Sequence, residues 1–431
     1  MLKSKLNNTY FFLFIYFACF FYVIAVFYGV TPDFRLSTPS IILISRDILF
    51  FILLLLLFLS ANNKYLLDSV LNKNFYGKFL KFYYFWLFAN IFYGFIYLFI
   101  KNPVDILHHH FRNILYYSLF IPFIPLIFKT KKDIYKLIKT IINISIIISI
   151  IGIITRIFPG LYFFTWSGRI ISTFADPNNL AIFLILPILF LFVDNERRIF
   201  IKGMLFVLFF LAFVLCNSMT SFLVLCFSSF VFFLRQYVLK KFFLWLLIPL
   251  SILLFSFGVK FFSLKNIRAT FTNYYDSDRY MSDKIVNIFY HKFLHNDFNP
   301  LSCKIYITSK TRTLTNREEQ IKKFAGQNQY LLFGNIEEKA YKKHDNQYFN
   351  FIYNFGIFMA IINLSFFVYS IFCGFKKANN ELSNISVVFA SFLVGVVFFG
   401  FNGLALQNRF PLNFLFYLSM SVIFIIPDLK E

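Results

Sequence analysis

Two side chains capable of acid–base chemistry, His344 and Asp345, stand side by side in "KKHDNQYFNFIYNFGIF", the stretch from Lys342 to Phe358. Either can take a proton from a substrate hydroxyl if a partly desolvated site raises its pKa. The position equally suits a helix cap, because Asp345 or Asn346 ahead of a long apolar run satisfies its first backbone N–H groups. A second group of chemistry-bearing residues is cationic. Arg35, Arg156, Arg169 and Arg409 fall between apolar runs, and Arg46 and Arg112 fall within them. A guanidinium offers a planar fork that fits phosphate oxygens, and within a membrane span it needs a cavity and a partner. Arg46 can instead pair with Asp47 or snorkel. Together these residues suggest a cationic cavity suited to an anionic lipid head group such as a pyrophosphate.

Other candidates carry less. The run His108, His109, His110 makes a poor chelate, because adjacent helical residues point in different directions. Cys19, Cys216, Cys226, Cys303 and Cys373 show no paired spacing, which argues against a disulfide framework or a zinc site. No Gly-rich phosphate loop, zinc-protease helix or Gly-x-Ser-x-Gly elbow is present.

The elements that must position these residues are membrane helices. Of 431 residues, 59% are hydrophobic and only 14% charged, with 69 Phe. Apolar runs of about 20 residues match the thickness of a bilayer core, and helices are the element that satisfies its own backbone there. The expected spans are 10–30, 40–60, 79–100, 106–128, 134–158, 178–193, 199–217, 219–239, 242–260, 347–373, 385–404 and 410–426. The fold class is therefore all-α, a polytopic membrane protein of about 12 transmembrane helices. Residues 1–260 hold spans one to nine, 261–346 form a long external loop, and 347–431 hold spans ten to twelve. Lys3 and Lys5 precede a long apolar run without a small-residue cleavage site, which reads as a first span.

Charge sets the orientation. With the N-terminus inside, the inner segments hold twenty Lys or Arg and the short outer loops five, so both termini face the cytoplasm. The loop 261–346 then lies outside, with amphipathic helices expected around "SDKIVNIFYHKFLH" and "NREEQIKKFAGQNQYLLFG". The net charge of +22 is mostly inner Lys, which argues against nucleic acid as a partner.

With these residues placed, the chain resembles the O-antigen polymerase and O-antigen ligase superfamily of bacterial type C glycosyltransferases. The first match is Arg169 followed by "STFADPNNLA", from Ser172 to Ala181. The second is "NSMTSFLVL", from Asn217 to Leu225, where Phe222 replaces the family's Arg. The third is an Arg, "LLFG" from Leu331 to Gly334, and the 344–356 motif; Arg317 and Arg279 compete for that Arg. Ligases typically have His, then Asn, Ser or Gln, nine residues and Gly. Counting back from Gly356 gives Asp345 and Asn346, the polymerase-like version.

The resemblance implies a metal-independent transfer on the outer face of the cytoplasmic membrane, without nucleotide or cofactor. An undecaprenyl-diphosphate-linked glycan is the donor, and a hydroxyl of a second lipid-linked repeat unit attacks its anomeric carbon. The product is O-antigen or capsular polysaccharide. It implies that Arg156, Arg169, Arg112, Arg409 and one of Arg279 or Arg317 hold the donor, that Asp176 and Asn178 meet sugar hydroxyls, and that Asp345 or His344 is the base. Membrane lipid, a flippase and a chain-length regulator are the implied partners. The alternatives are a ligase acting on lipid A-core and, from another class, a lipid-linked-oligosaccharide flippase or transporter. The long external loop and the lack of repeated halves weigh against a transporter.

Overall fold

The computed structural model describes parts of 48–59 and residue 71, then 74–101, 115–157, 165–166, 169–170, 172, 174, 177–237, 347–376, 382–400 and 412–429. The expected spans at 10–30 and 242–260 and the loop 261–346 lie outside the described residues. So do Arg35, Arg46, Arg112, Asp176, Arg279, Arg317, His344, Asp345, Arg409 and the run His108, His109, His110.

The principal elements are α1 (Phe75–Lys101), α2 (Ile124–Ile127), α3 (Lys131–Ile157), strands β1 (Thr165–Trp166) and β2 (Arg169–Ile170), then α4 (Pro177–Val193), α5 (Ile199–Leu215), α6 (Met219–Tyr237), α7 (Gln347–Lys376), α8 (Ser383–Gly400) and α9 (Leu412–Ile425). The described fold is thus helical, apart from one hairpin that the all-α expectation did not include. Stretches within α3 and α7, and all of α8, are long and apolar enough to cross a membrane; α4, α5, α9 and most of α6 are shorter apolar helices.

Capping explains where several helices begin. The helix expected from 134 starts at Lys131, because Asp133 Oδ2 accepts from the N–H groups of Lys129 (3.1 Å) and Thr130 (3.0 Å) and from the Thr130 hydroxyl. The helix expected from 79 starts at Phe75. Asn74 Oδ1 accepts from Gly77 N–H at 2.8 Å, and Asp428, 352 residues away, accepts from Tyr76 N–H at 2.8 Å. Hydropathy carries no trace of either device.

The expected continuous span 106–128 is not continuous over its described part. Residues Tyr116–Ser118 and Ile121–Phe123 are 3-10 turns, followed by the single turn of α2. Pro122 and Pro125 each remove a backbone donor, so the α-helical ladder cannot run through. Buried irregular backbone persists in a membrane only where protein side chains serve it. Here Tyr76 donates its hydroxyl to Ile121 O and Tyr83 donates to Ser118 O at 3.0 Å.

The bundle is apolar on its outer faces as well as in its core. On α1, Phe85, Phe88, Phe92 and Phe95 recur at helical spacing and are exposed, Phe88 by 67%. The opposite face buries Phe79, Tyr83, Trp86 and Asn90. On α7, Phe358, Ile361, Val368 and Phe372 face outward, while Asn363 and Ser370 are buried. Such contiguous exposed apolar faces suit lipid. Helix α8 packs against α4, α6, α7 and α9, and is buried along most of its length. Gly395 makes its contact with α6 possible, since a Cβ there would sit 2.1 Å from Ser228 Oγ.

Candidate functional site

Two ends of the bundle are fixed by long-range hydrogen bonds. At one end Asp428 caps α1, Arg235 Nε donates to Phe375 O at 3.1 Å, and Ser386 donates to Gly374 O at 3.2 Å. The candidate residues that are described lie at the other end, around the hairpin.

The hairpin is built from close approach. Thr165 pairs with Ile170 and Trp166 with Arg169, so Arg169 sits at the turn-proximal pair. Gly152 of α3 lets this hairpin dock: a Cβ there would meet Ile170 Cδ1 at 2.9 Å and Ser172 Cβ at 3.5 Å. Ser172 Oγ then donates to Ile148 O at 2.8 Å. Ser172 has φ of 48, a left-handed conformation that a non-glycine residue adopts only when its surroundings impose it. Arg156 lies one turn beyond Gly152, exposed in the last turn of α3. The fold therefore brings the backbone of Arg169 and the helix end bearing Arg156 to one place.

From Ser172 the chain passes Phe174, whose ring packs 5.2 Å from that of Phe183, and enters α4 at Pro177. Proline at a first helical position costs no hydrogen bond, because that N–H would lack an intrahelical partner anyway. The side chain of Asn178, expected to meet sugar hydroxyls, accepts from the Ser218 hydroxyl at 2.5 Å through Oδ1. Ser218 in turn caps α6, accepting from Ser221 N–H at 3.1 Å, and the Ser221 hydroxyl donates to Asn178 O at 3.3 Å. Asn217, just before the cap, has φ of 45. Two helix N-termini, those of α4 and α6, are thus stapled together beside the hairpin. Each presents partial positive charge and N–H donors, the arrangement that favours anions.

The stretch 347–355 is also set by a single residue. Helix α7 is two pieces joined at Gly356, where φ is 83 and ψ is 168. Only glycine adopts this conformation readily, so the break is encoded at that position. Gly356 is buried.

Of the expected site residues, Arg156, Asn178 and the backbone of Arg169 are described, and the fold brings the segments that bear them to the hairpin end. Sequence reasoning missed Gly152, Ser172, Ser218 and Ser221 as the parts that assemble it. The Ser pair was visible within "NSMTSFLVL", but its partner lies 40 residues upstream. It also missed a buried polar seam on α1, α7 and α9, whose signal was Asn within each of three apolar runs. There Trp86 Nε1 donates to Asn363 Oδ1 at 2.9 Å, Asn363 Nδ2 donates to Met359 O at 2.8 Å, and Asn90 Nδ2 donates to Trp86 O at 2.8 Å. Among the described residues, no three His, Cys, Asp or Glu side chains gather in a metal-binding group. No family model matches the chain, and no curated protein is significantly similar to it.

Proposed function

We propose that this protein is a polytopic enzyme of about 12 spans in the cytoplasmic membrane, which joins undecaprenyl-diphosphate-linked oligosaccharide repeat units on the outer face. The observation that carries the reading is the hairpin end. There Arg156 and the backbone of Arg169 come to one place beside two stapled helix N-termini, all suited to the leaving diphosphate. Cations and N–H donors held in place before reaction stabilise the charge that develops on the departing oxygen. Asp345 or His344, upstream of the encoded break at Gly356, removes the proton from the attacking hydroxyl. The diphosphate bond supplies the driving force, so the reaction needs no nucleotide. A flippase supplies its substrate, and a chain-length regulator sets when it stops.

Deleting the gene tests this reading. Surface glycan should collapse from a ladder to single repeat units that still face outward. Repeat units accumulating on the cytoplasmic side would assign the chain to transport instead.

A further inference from the structure

We infer that the seam between α1, α7 and α9 holds an uncharged sugar group of the lipid-linked glycan, an inference that rests on the function proposed above. Helices α1 and α9 run antiparallel and meet through matched layers. Phe79 and Phe424 stack at 3.9 Å, and Trp86 and Tyr417 lie 6.3 Å apart. Steps of seven and then four residues lead from 79 to 86 to 90 on α1, and from 424 to 417 to 413 on α9. The next layer therefore opposes Asn90 and Asn413. Both are fully buried. Asn90 Oδ1 accepts no hydrogen bond and Asn413 Nδ2 donates none, so this layer holds a spare acceptor on one helix and a spare donor on the other. The other half of each amide is occupied: Asn90 Nδ2 donates to Trp86 O at 2.8 Å, and Asn413 Oδ1 accepts from Phe414 N–H at 3.0 Å.

A buried amide atom without a partner is costly, and in a membrane no water waits outside to relieve it. An acceptor and a donor held on facing helices match one hydroxyl, or the N–H and C=O of an acetamido group. They do not match a phosphate, which would find the acceptor repulsive. The seam also leads toward the hairpin end: Asn363 and Met359 of α7 continue it to within one turn of the break at Gly356. Broken helices at membrane depth are tolerated where they line a cavity. Diphosphate and sugar are thus read by different chemistry, Arg and helix N-termini for the first and paired amides for the second.

The test uses the purified full-length protein with Asn90→Leu, Asn413→Leu and the double variant, which keep the side-chain size and remove the spare polar atom together with one local bond, to Trp86 O or from Phe414 N–H. Thermal stability is followed with two probes, lipid-linked repeat units extracted from a deletion strain and bare undecaprenyl diphosphate. The wild type should be stabilised by both, and more by the glycan-bearing lipid. Each variant should keep its response to bare undecaprenyl diphosphate, while binding the glycan-bearing lipid about tenfold more weakly. Variants that retain the full extra response would overturn the inference. Equal responses of the wild type to both probes would overturn it while leaving the proposed function standing. No response to either probe would sink both. A ligand-free destabilisation of the double variant clearly smaller than the sum of the two single ones would show that the two amides bond each other, and would also overturn it.

Discussion

Two glycines should respond oppositely to the same added methyl group. At Gly203 in α5 a Cβ would meet nothing within 4 Å, and the residue is helical. Gly203→Ala should therefore stabilise the protein by about 0.5–1 kcal/mol, because alanine loses less backbone entropy on entering a helix. At Gly356, φ of 83 and ψ of 168 lie in a region that is essentially glycine-only. Gly356→Ala must either hold that strain, at about 1–3 kcal/mol, or relax into a continuous helix. Relaxation would swing residues 347–355, and with them the approach of Asp345, away from the bundle. Either way, polymer in cells should fall sharply at normal membrane level, whereas Gly203→Ala should leave the ladder intact. The assay is thermal unfolding in detergent alongside glycan banding. Gly356→Ala with wild-type stability and a full ladder would refute the proposal that the break positions a catalytic segment.

Three further outcomes follow from named contacts. Asp428→Ala removes a cap from the start of α1 and should cost about 0.5–2 kcal/mol in detergent unfolding, with Asp428→Asn close to wild type. If Asp345 is the base, Asp345→Asn should lower in vitro transfer by about 10²–10⁴-fold at unchanged membrane level, since Asn caps as well as Asp but accepts no proton. A silent Asp345→Asn would transfer that role to His344, tested by His344→Gln. Cysteine introduced at position 310 in a background without native cysteines should react with an impermeant thiol reagent in spheroplasts; protection would invert the topology.

The helices were largely legible from hydropathy, and their faces were not. Helices α4, α5 and α6 begin within a residue of expectation, since turn-formers such as Pro177 and Ser218 mark their starts. In α1 the apolar residues lie all around the helix, so no period reveals that Phe88 faces outward and Trp86 inward. The stretch 116–127 was misread because a greasy run looks the same whether helical or not. Only Pro122 and Pro125 hinted otherwise, and buried Tyr76 and Tyr83 were needed to serve the irregular backbone. Of the site, the Arg169–Asn178 motif was legible as chemistry. The Asn178–Ser218 staple and the Asp428 cap were not, because they join residues far apart in the chain.

The central claim is tested most directly by reconstituting the purified protein with lipid-linked repeat units alone, without nucleotide or added metal, and resolving the products. The account predicts a ladder of lipid-linked oligomers whose formation is lost in Arg169→Ala and barely restored in Arg169→Lys, because the diphosphate contact requires the guanidinium fork. Unextended repeat units from well-folded wild-type protein, or a full ladder from Arg169→Ala, would contradict it.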